Sequence, residues 1–326
     1  MTGFDREAPG GGVDAYTIWE NQKAEIRFTV YLTEDGVQAS TDRIPVEVWM
    51  RTAEGTEAAY MEAWTKCPED GRESWAVTVR TLLIQPHLWQ GKDNPYLYEV
   101  EVRLAGAQTL RLKYPVCSMG YRGEGHFVLN GRPYPLHAVR YIPGADAVSC
   151  LERDLGLLKE LGANCLCLSA FPAAPQFYER CLEQGMVVWK SEAEEEQLPV
   201  FGALHGDAGA PEHMQDKLQA RLLLCDDGKH KRDLFYYYQA LWSERKVLHI
   251  CRLPEGTRTG TTVSVTVYSN QKKVALYVNG YLQEFKESAP CFVFQDVELT
   301  GANVVLSARS EECFTSYTPA ESFCGK

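Results

Sequence analysis

Residues 154–189, DLGLLKELGANCLCLSAFPAAPQFYERCLEQGMVVW, decide the fold class of this chain. Leu155, Leu158 and Leu161 recur at helical spacing, and Gly162 behind them suits a helix C-cap. Cys165 to Leu168 is a short apolar run, the pattern of a strand covered on both faces. Phe177, Tyr178, Cys181 and Leu182 form the stripe of a second helix, Gly185 stops it, and Met186 to Trp189 opens another strand. Helix, strand, helix, strand in succession implies a parallel, right-handed β/α unit. Neither flank repeats the pattern, so the sequence reads as an α/β segment between two β-rich arms.

The chain has 326 residues, enough for two or three domains. Its net charge of −11 argues against nucleic acid or an anionic membrane as the main partner. No apolar run is long enough to span a bilayer, and the opening residues MTGFDREAPGGGVD hold no apolar signal segment. The eleven cysteines are scattered and odd in number, which suits free thiols in a reducing compartment. Cys165, Cys167, Cys251 and Cys291 sit in apolar runs and read as small buried hydrophobes. A cytoplasmic protein is the expectation.

Outward from the central segment, the pattern divides the chain into five parts. Residues 1–14 are Gly-rich and expected to be disordered. Residues 15–118 hold alternating runs at Ala24–Leu32, Val46–Met50, Trp75–Val79 and Tyr98–Leu104, separated by turns at Asp35-Gly36, Asp70-Gly71 and Gly91. Short strands without helices predict an immunoglobulin-like sandwich. Residues 119–231 open with a hairpin turn at Asn130-Gly131 and carry strand candidates at 134–142, 163–169 and 186–190. Residues 232–310 pair an aromatic helix, Asp233 to Ser243, with a second sandwich built from Val263–Tyr268 and Val274–Gly280. Residues 311–326 read as a tail.

Taken together, LWQGKDNPYLY (88–98), GYR (120–122), FVLNGRPYPLHAVR (127–140) and residues 154–189 resemble glycoside hydrolase family 2, the family of β-galactosidases and β-glucuronidases. The helix DLFYYYQALWS (233–243) resembles the one that closes the family's barrel, and residues 263–280 resemble the sandwich that follows it. The resemblance runs in order over residues 15–310. It implies an immunoglobulin-like sandwich, a (β/α)8 barrel and a further sandwich; the family's N-terminal jelly roll has no counterpart in these residues.

A complete barrel needs about 250 residues, whereas about 110 lie between Gly120 and Asp233. The fold expected is therefore multidomain β and α/β, with a shortened (β/α) half-barrel between two immunoglobulin-like sandwiches. The family's Asn-Glu acid/base pair has no match between Gly120 and Asp233. Retaining glycoside hydrolysis needs two carboxyls about 5–5.5 Å apart, and the strands supply none. Where the resemblance implies polar residues after the strands, this chain has Arg140-Tyr141-Ile142, then Cys167 with Ser169-Ala170-Phe171-Pro172, then Lys190-Ser191.

Glu192 and Glu194, with Glu195 and Glu196, are the carboxylates open to acid/base work, and a solvated acidic loop accounts for them better. Trp189, Arg140, Tyr141 and Ser169 are the candidates for substrate contact. Ser169 has no His or Asp partner in sequence and is not a nucleophile candidate. His205, Asp207, Glu212 and His213 read as an exposed linker, and Cys165-x-Cys167 lacks the second half of a zinc site. No cofactor and no metal are expected. Tyr236, Tyr237, Tyr238 and Trp242 are expected to cover the open side of the half-barrel. The function expected is that of a family 2-like carbohydrate-binding or assembly module without glycosidase activity of its own. The alternative is a retaining β-glycosidase that uses Glu192 and Glu194, or one completed by a partner subunit. The partners expected are a carbohydrate and a second copy covering the open half-barrel.

Overall fold

The computed structural model describes residues 2–4, 11–34, 43–66, 68, 74–104, 108–123, 126–142, 147–168, 175–190, 200–201, 222–225, 230–254, 256–287, 289–301 and 303–318. The chain partitions into two compact units. One comprises Met1–Leu136 with Phe171–Val188, the other His137–Ala170 with Trp189–Lys326.

The first unit is dominated by a β-sandwich. One sheet contains β1 (Thr2–Phe4), β2 (Val13–Glu20), β3 (Lys23–Glu34) and β6 (Ser74–Ile84), with β3 central. The other runs in the order β5 (Glu57–Thr65), β4 (Ile44–Arg51), β7 (Tyr98–Leu104), β8 (Gln108–Tyr114). All pairings are antiparallel. The period-two pattern buries Ala24, Ile26, Phe28, Val30 and Leu32 of β3 against Val46, Val48 and Met50 of β4 and Val100, Val102 and Leu104 of β7. Glu101 points outward yet is buried, because Arg103 and Arg111 both bond its carboxylate. Their charges hold that carboxyl below its usual range, the Arg111 hydrogen bond contributing most.

Thr2–Phe4 is not disordered: it adds to β3 opposite Leu32–Glu34. Strand β5 is hidden in the sequence because two of its inward positions are the small Ala59 and Ala63 on either side of Met61, while the outward face carries the aromatics Tyr60 and Trp64.

A three-stranded antiparallel sheet follows, β9 (Met119–Arg122), β10 (His126–Leu129) and β11 (Arg132–Pro133). Its Asn130-Gly131 turn has φ of 52° and 77°, the left-handed pair a two-residue hairpin needs. The Asn130 side chain accepts from the Ser118 amide and donates to the Trp89 carbonyl, fixing the loop that carries Trp89. Trp89 is fully buried and its Nε1 donates to the Leu182 carbonyl at 3.0 Å, in the last turn of helix α2 (Pro175–Glu183). Strand β14 (Val187–Lys190) comes next in the chain.

In the second unit, strand β12 (Ala138–Tyr141) leads through helix α1 (Ala147–Leu161) to strand β13 (Cys165–Leu168), which lies parallel to it. Strand β15 (Val200–Phe201) pairs parallel to the other edge of β12. Leu151, Leu155, Leu158 and Leu161 are the buried stripe of α1. The Gly162 and Ala163 amides both return to the Leu158 carbonyl, closing the helix as the glycine suggested.

Helix α3 (Asp233–Trp242) precedes a second sandwich. Its sheets run β16 (Leu248–Ile250), β17 (Thr262–Ser269), β20 (Cys291–Glu298), and β19 (Tyr281–Lys286), β18 (Val274–Val278), β21 (Leu306–Arg309), β22 (Phe314–Tyr317). Val265, Val267, Leu276, Phe292, Phe294 and Leu306 fill the space between them. Strand β22 pairs along β21, so the sandwich continues past residue 310 into what the pattern read as a tail.

Candidate functional site

Parallel strands present functional side chains at their C-terminal ends. On β12 that end is Arg140-Tyr141, and the two residues face opposite ways. Tyr141 turns toward α1, where it is fully buried and its hydroxyl donates to Asp154 Oδ2 at 2.8 Å. The Arg153 guanidinium holds the other oxygen of the same carboxylate at 2.9 Å. Asp154 is thus a buried charge made tolerable by two partners, and Tyr141 joins a strand to its helix. Arg140 shares the opposite face with Ala138. The parallel register places Cys165 beside Ala138 and Cys167 beside Arg140, so both thiols line that face too. Cys165 and Cys167 are buried there, as their apolar setting suggested. Trp189 lies half-buried near the end of β14. Ser169, Glu192, Glu194, Glu195, Glu196, His205, Asp207, Glu212 and His213 fall outside the described residues.

The N-terminal end of the same strands is a packing centre. The His137 amide donates to Asn164 Oδ1 at 2.7 Å, its Nδ1 lies 2.9 Å from the Gly162 carbonyl, and its ring stacks on Trp242 with centroids 5.3 Å apart. Gly162 has φ of +89°, and a Cβ there would stand 2.6 Å from the Trp242 carbonyl carbon. Gln239 Nε2 donates to the Glu160 carbonyl at 3.0 Å. One side of α3 is therefore locked onto the end of α1.

The other side of α3 meets the outer face of the sheet β16-β17-β20. Tyr236 stacks on His249 at 3.7 Å between centroids, and Tyr237 meets Tyr268 edge-on at 5.2 Å. The tyrosines expected to cover an open half-barrel instead include two, Tyr236 and Tyr237, that meet the sandwich residues His249 and Tyr268. Asp233, in the first turn of α3, takes His249 Nε2 on one oxygen at 2.7 Å and the Arg252 amide on the other at 3.0 Å. Burial pushes the Asp233 carboxyl up, but those partners together bring it below the usual carboxylate range. Cys251 is buried next to them, and burial, helped by the Asp233 charge, pushes its thiol far up. Among the described residues, Asp233, His249 and Cys251 form a group whose ligand atoms all lie within 4.8 Å of one another. In sequence Cys251 reads as a small hydrophobe, and neither Asp233 nor His249 stands out beside it. The available signal was the alternation His249-Ile250-Cys251, which puts two donors on one face of a strand.

The folds and faces described define a multidomain β protein whose two sandwiches accompany a short parallel β/α segment. No family model matches the chain. It is 29% identical over 182 residues to a β-glucuronidase of Bacteroides fragilis, a match covering 49% of this chain and 26% of that protein. It is 32% identical over 116 residues to a β-galactosidase of Thermoanaerobacter pseudethanolicus, covering 32% of this chain and 16% of that one. A crystal structure of a putative β-galactosidase from Bacteroides fragilis superposes with a TM-score of 0.71 at 17% identity, over 94% of this chain and 72% of that chain. The chain is thus similar to β-glucuronidases, β-galactosidases and, in fold, to a glycoside hydrolase family 2 member from Bacteroides cellulosilyticus. Its matches span about a quarter or less of the length of those two curated relatives. Among the described residues no helix is long and apolar enough to cross a membrane.

Proposed function

We propose that this chain is a family 2 protein without glycosidase activity of its own, serving as a carbohydrate-binding or assembly module. The observation that carries the reading is the inner face of the parallel strands. That face bears Ala138, Arg140, Cys165 and Cys167, so its described residues offer one cation, two buried thiols and no carboxylate. Double displacement at an anomeric carbon needs an acid/base and a nucleophile, both carboxyls, held on such a face. Arg140 and Trp189 remain the residues of β12 and β14 suited to a sugar, one by hydrogen bonds to hydroxyls and one by stacking on the ring's C–H face. The parallel pairings of β12 with β13 and of β12 with β15 support a shortened barrel, in which β15 occupies the edge that a full barrel closes with its last strand.

The test has two arms. Nitrophenyl β-galactoside and β-glucuronide should show no turnover above background. Galactose or glucuronate should raise the melting temperature in a concentration-dependent way that Trp189→Ala abolishes. Turnover lost on Glu192→Gln or Glu194→Gln would refute the reading and establish a glycosidase.

A further inference from the structure

The Asp233–His249–Cys251 group shares no residue with the strand ends considered above and is not used by the proposed function. Two features of the fold place the three donors. Asp233 is the first residue of α3, aimed down at the sheet because Arg252 binds one of its oxygens. His249 sits in β16, where Ile250 turns into the sandwich core and so sends His249 and Cys251 to the outer face. Tyr236 stacks within 10° of parallel on the imidazole and fixes its plane. The cross-strand register places His249 beside Tyr268 and Tyr268 beside Cys291.

An Asp–His hydrogen bond alone would brace the helix, but it has no use for a third donor. A buried sulfur within 4.8 Å of both partners completes a mixed oxygen, nitrogen and sulfur set. We propose that Asp233, His249 and Cys251 bind a single borderline-soft divalent ion, Zn²⁺ by its chemistry, with water at the fourth position. Zinc takes such ligands tetrahedrally at about 2.0–2.3 Å, which sets ligand–ligand separations of roughly 3.3–3.6 Å. The 2.7 Å separation of Asp233 and His249 must open by under about 1 Å. The thiol must approach by a similar distance, both within the reach of side-chain rotation. On binding, Cys251 releases its thiol proton to solvent and coordinates as thiolate, and the two ligand charges neutralise the ion. The Arg252 amide on Asp233 and the Tyr236 ring on His249 already provide the outer contacts that orient metal ligands. Thiolate and imidazole disfavour Ca²⁺ and Mg²⁺. The ion would pin the start of α3 to β16, within the second unit.

The test uses the full chain, chelator-treated under reducing conditions, and titrated with CoCl2. One equivalent should produce a thiolate-to-cobalt charge-transfer band that ZnCl2 displaces, and Zn²⁺ should raise the melting temperature. Cys251→Ser, a near-isosteric change, should abolish the band, and His249→Gln should weaken Zn²⁺ binding on the order of a hundredfold. Cys313→Ser, outside the group, should leave both unchanged, and circular dichroism checks that each variant folds. Absence of the band in the wild type overturns the proposal. So does a band that survives Cys251→Ser or disappears with Cys313→Ser.

Discussion

Replacing Gly162 by Ala tests the idea that the end of α1 and the end of α3 are built around the absence of one methyl group. Two effects add. At φ of +89° an L-residue pays steric strain of about 1–2 kcal/mol. The new Cβ would also stand 2.6 Å from the carbonyl carbon and oxygen of Trp242 and 2.8 Å from the Ser243 nitrogen. These are backbone atoms at a helix terminus, held by the Ser243 amide to the Gln239 carbonyl at 2.9 Å and by the His137–Trp242 stack. They cannot yield as a flexible side chain would, so overpacking adds about 1–3 kcal/mol. Stiffening of the unfolded chain returns about 0.4–1 kcal/mol. A net loss of about 1–5 kcal/mol follows. Gly280 supplies the comparison within the same unit: it has φ of +85° and no atom within 4 Å of its ideal Cβ, so Gly280→Ala carries the strain without the clash. Urea unfolding of both variants, followed by circular dichroism and Trp fluorescence, should show Gly162→Ala the less stable by about 1–3 kcal/mol. Equal losses within about 0.5 kcal/mol would show that Trp242 is not a rigid wall.

The first unit makes a related prediction at Trp89. Trp89→Phe keeps most of the buried ring but removes the donor to the Leu182 carbonyl, and denaturant titration should show a loss of about 1–3 kcal/mol. Tyr141→Phe removes the hydroxyl that donates to Asp154 and keeps the Arg153 ion pair; a loss of about 1–3 kcal/mol is expected, with sugar-induced melting shifts unchanged. A lost sugar response at wild-type stability would return Tyr141 to the role of a ligand contact. Glu183 bonds Lys113 and Arg180, and the Lys113 hydrogen bond above all holds its carboxyl below the usual range. Its folded-state value is depressed, so its contribution is present above the ordinary glutamate range and lost as pH falls through the depressed value. The stability gap between wild type and Glu183→Gln should therefore be widest near neutrality and close on acidification; a gap constant from pH 7 to pH 3 would contradict the ion-pair assignment.

The legible parts of this fold are those whose signal is local. The leucine stripe of α1, the glycine behind it, the apolar strand β13 and the Asn130-Gly131 turn each follow from period or backbone preference within a few residues. Strand β5 and the pairing of Thr2–Phe4 were hidden because small residues and a glycine-rich flank carry no periodic signal. The substrate-contact candidates were harder still. Sequence placed Arg140 and Tyr141 side by side, but the pleat sends one to the inner face of the strands and the other onto Asp154.

Read alone, the sequence indicates the kind of element at each station and the family that its motifs resemble. It also showed that few residues separate Gly120 from the aromatic helix, since length and motif order are properties of the chain alone. Only the tertiary structure decided what the aromatic helix faces and which donors converge beneath it. Asp233 and Cys251 are eighteen positions apart in the chain, and the turn between α3 and β16 is what brings them to one side of His249. Convergence of that kind is fixed by how a helix lies on a sheet, and no spacing rule in one dimension records it.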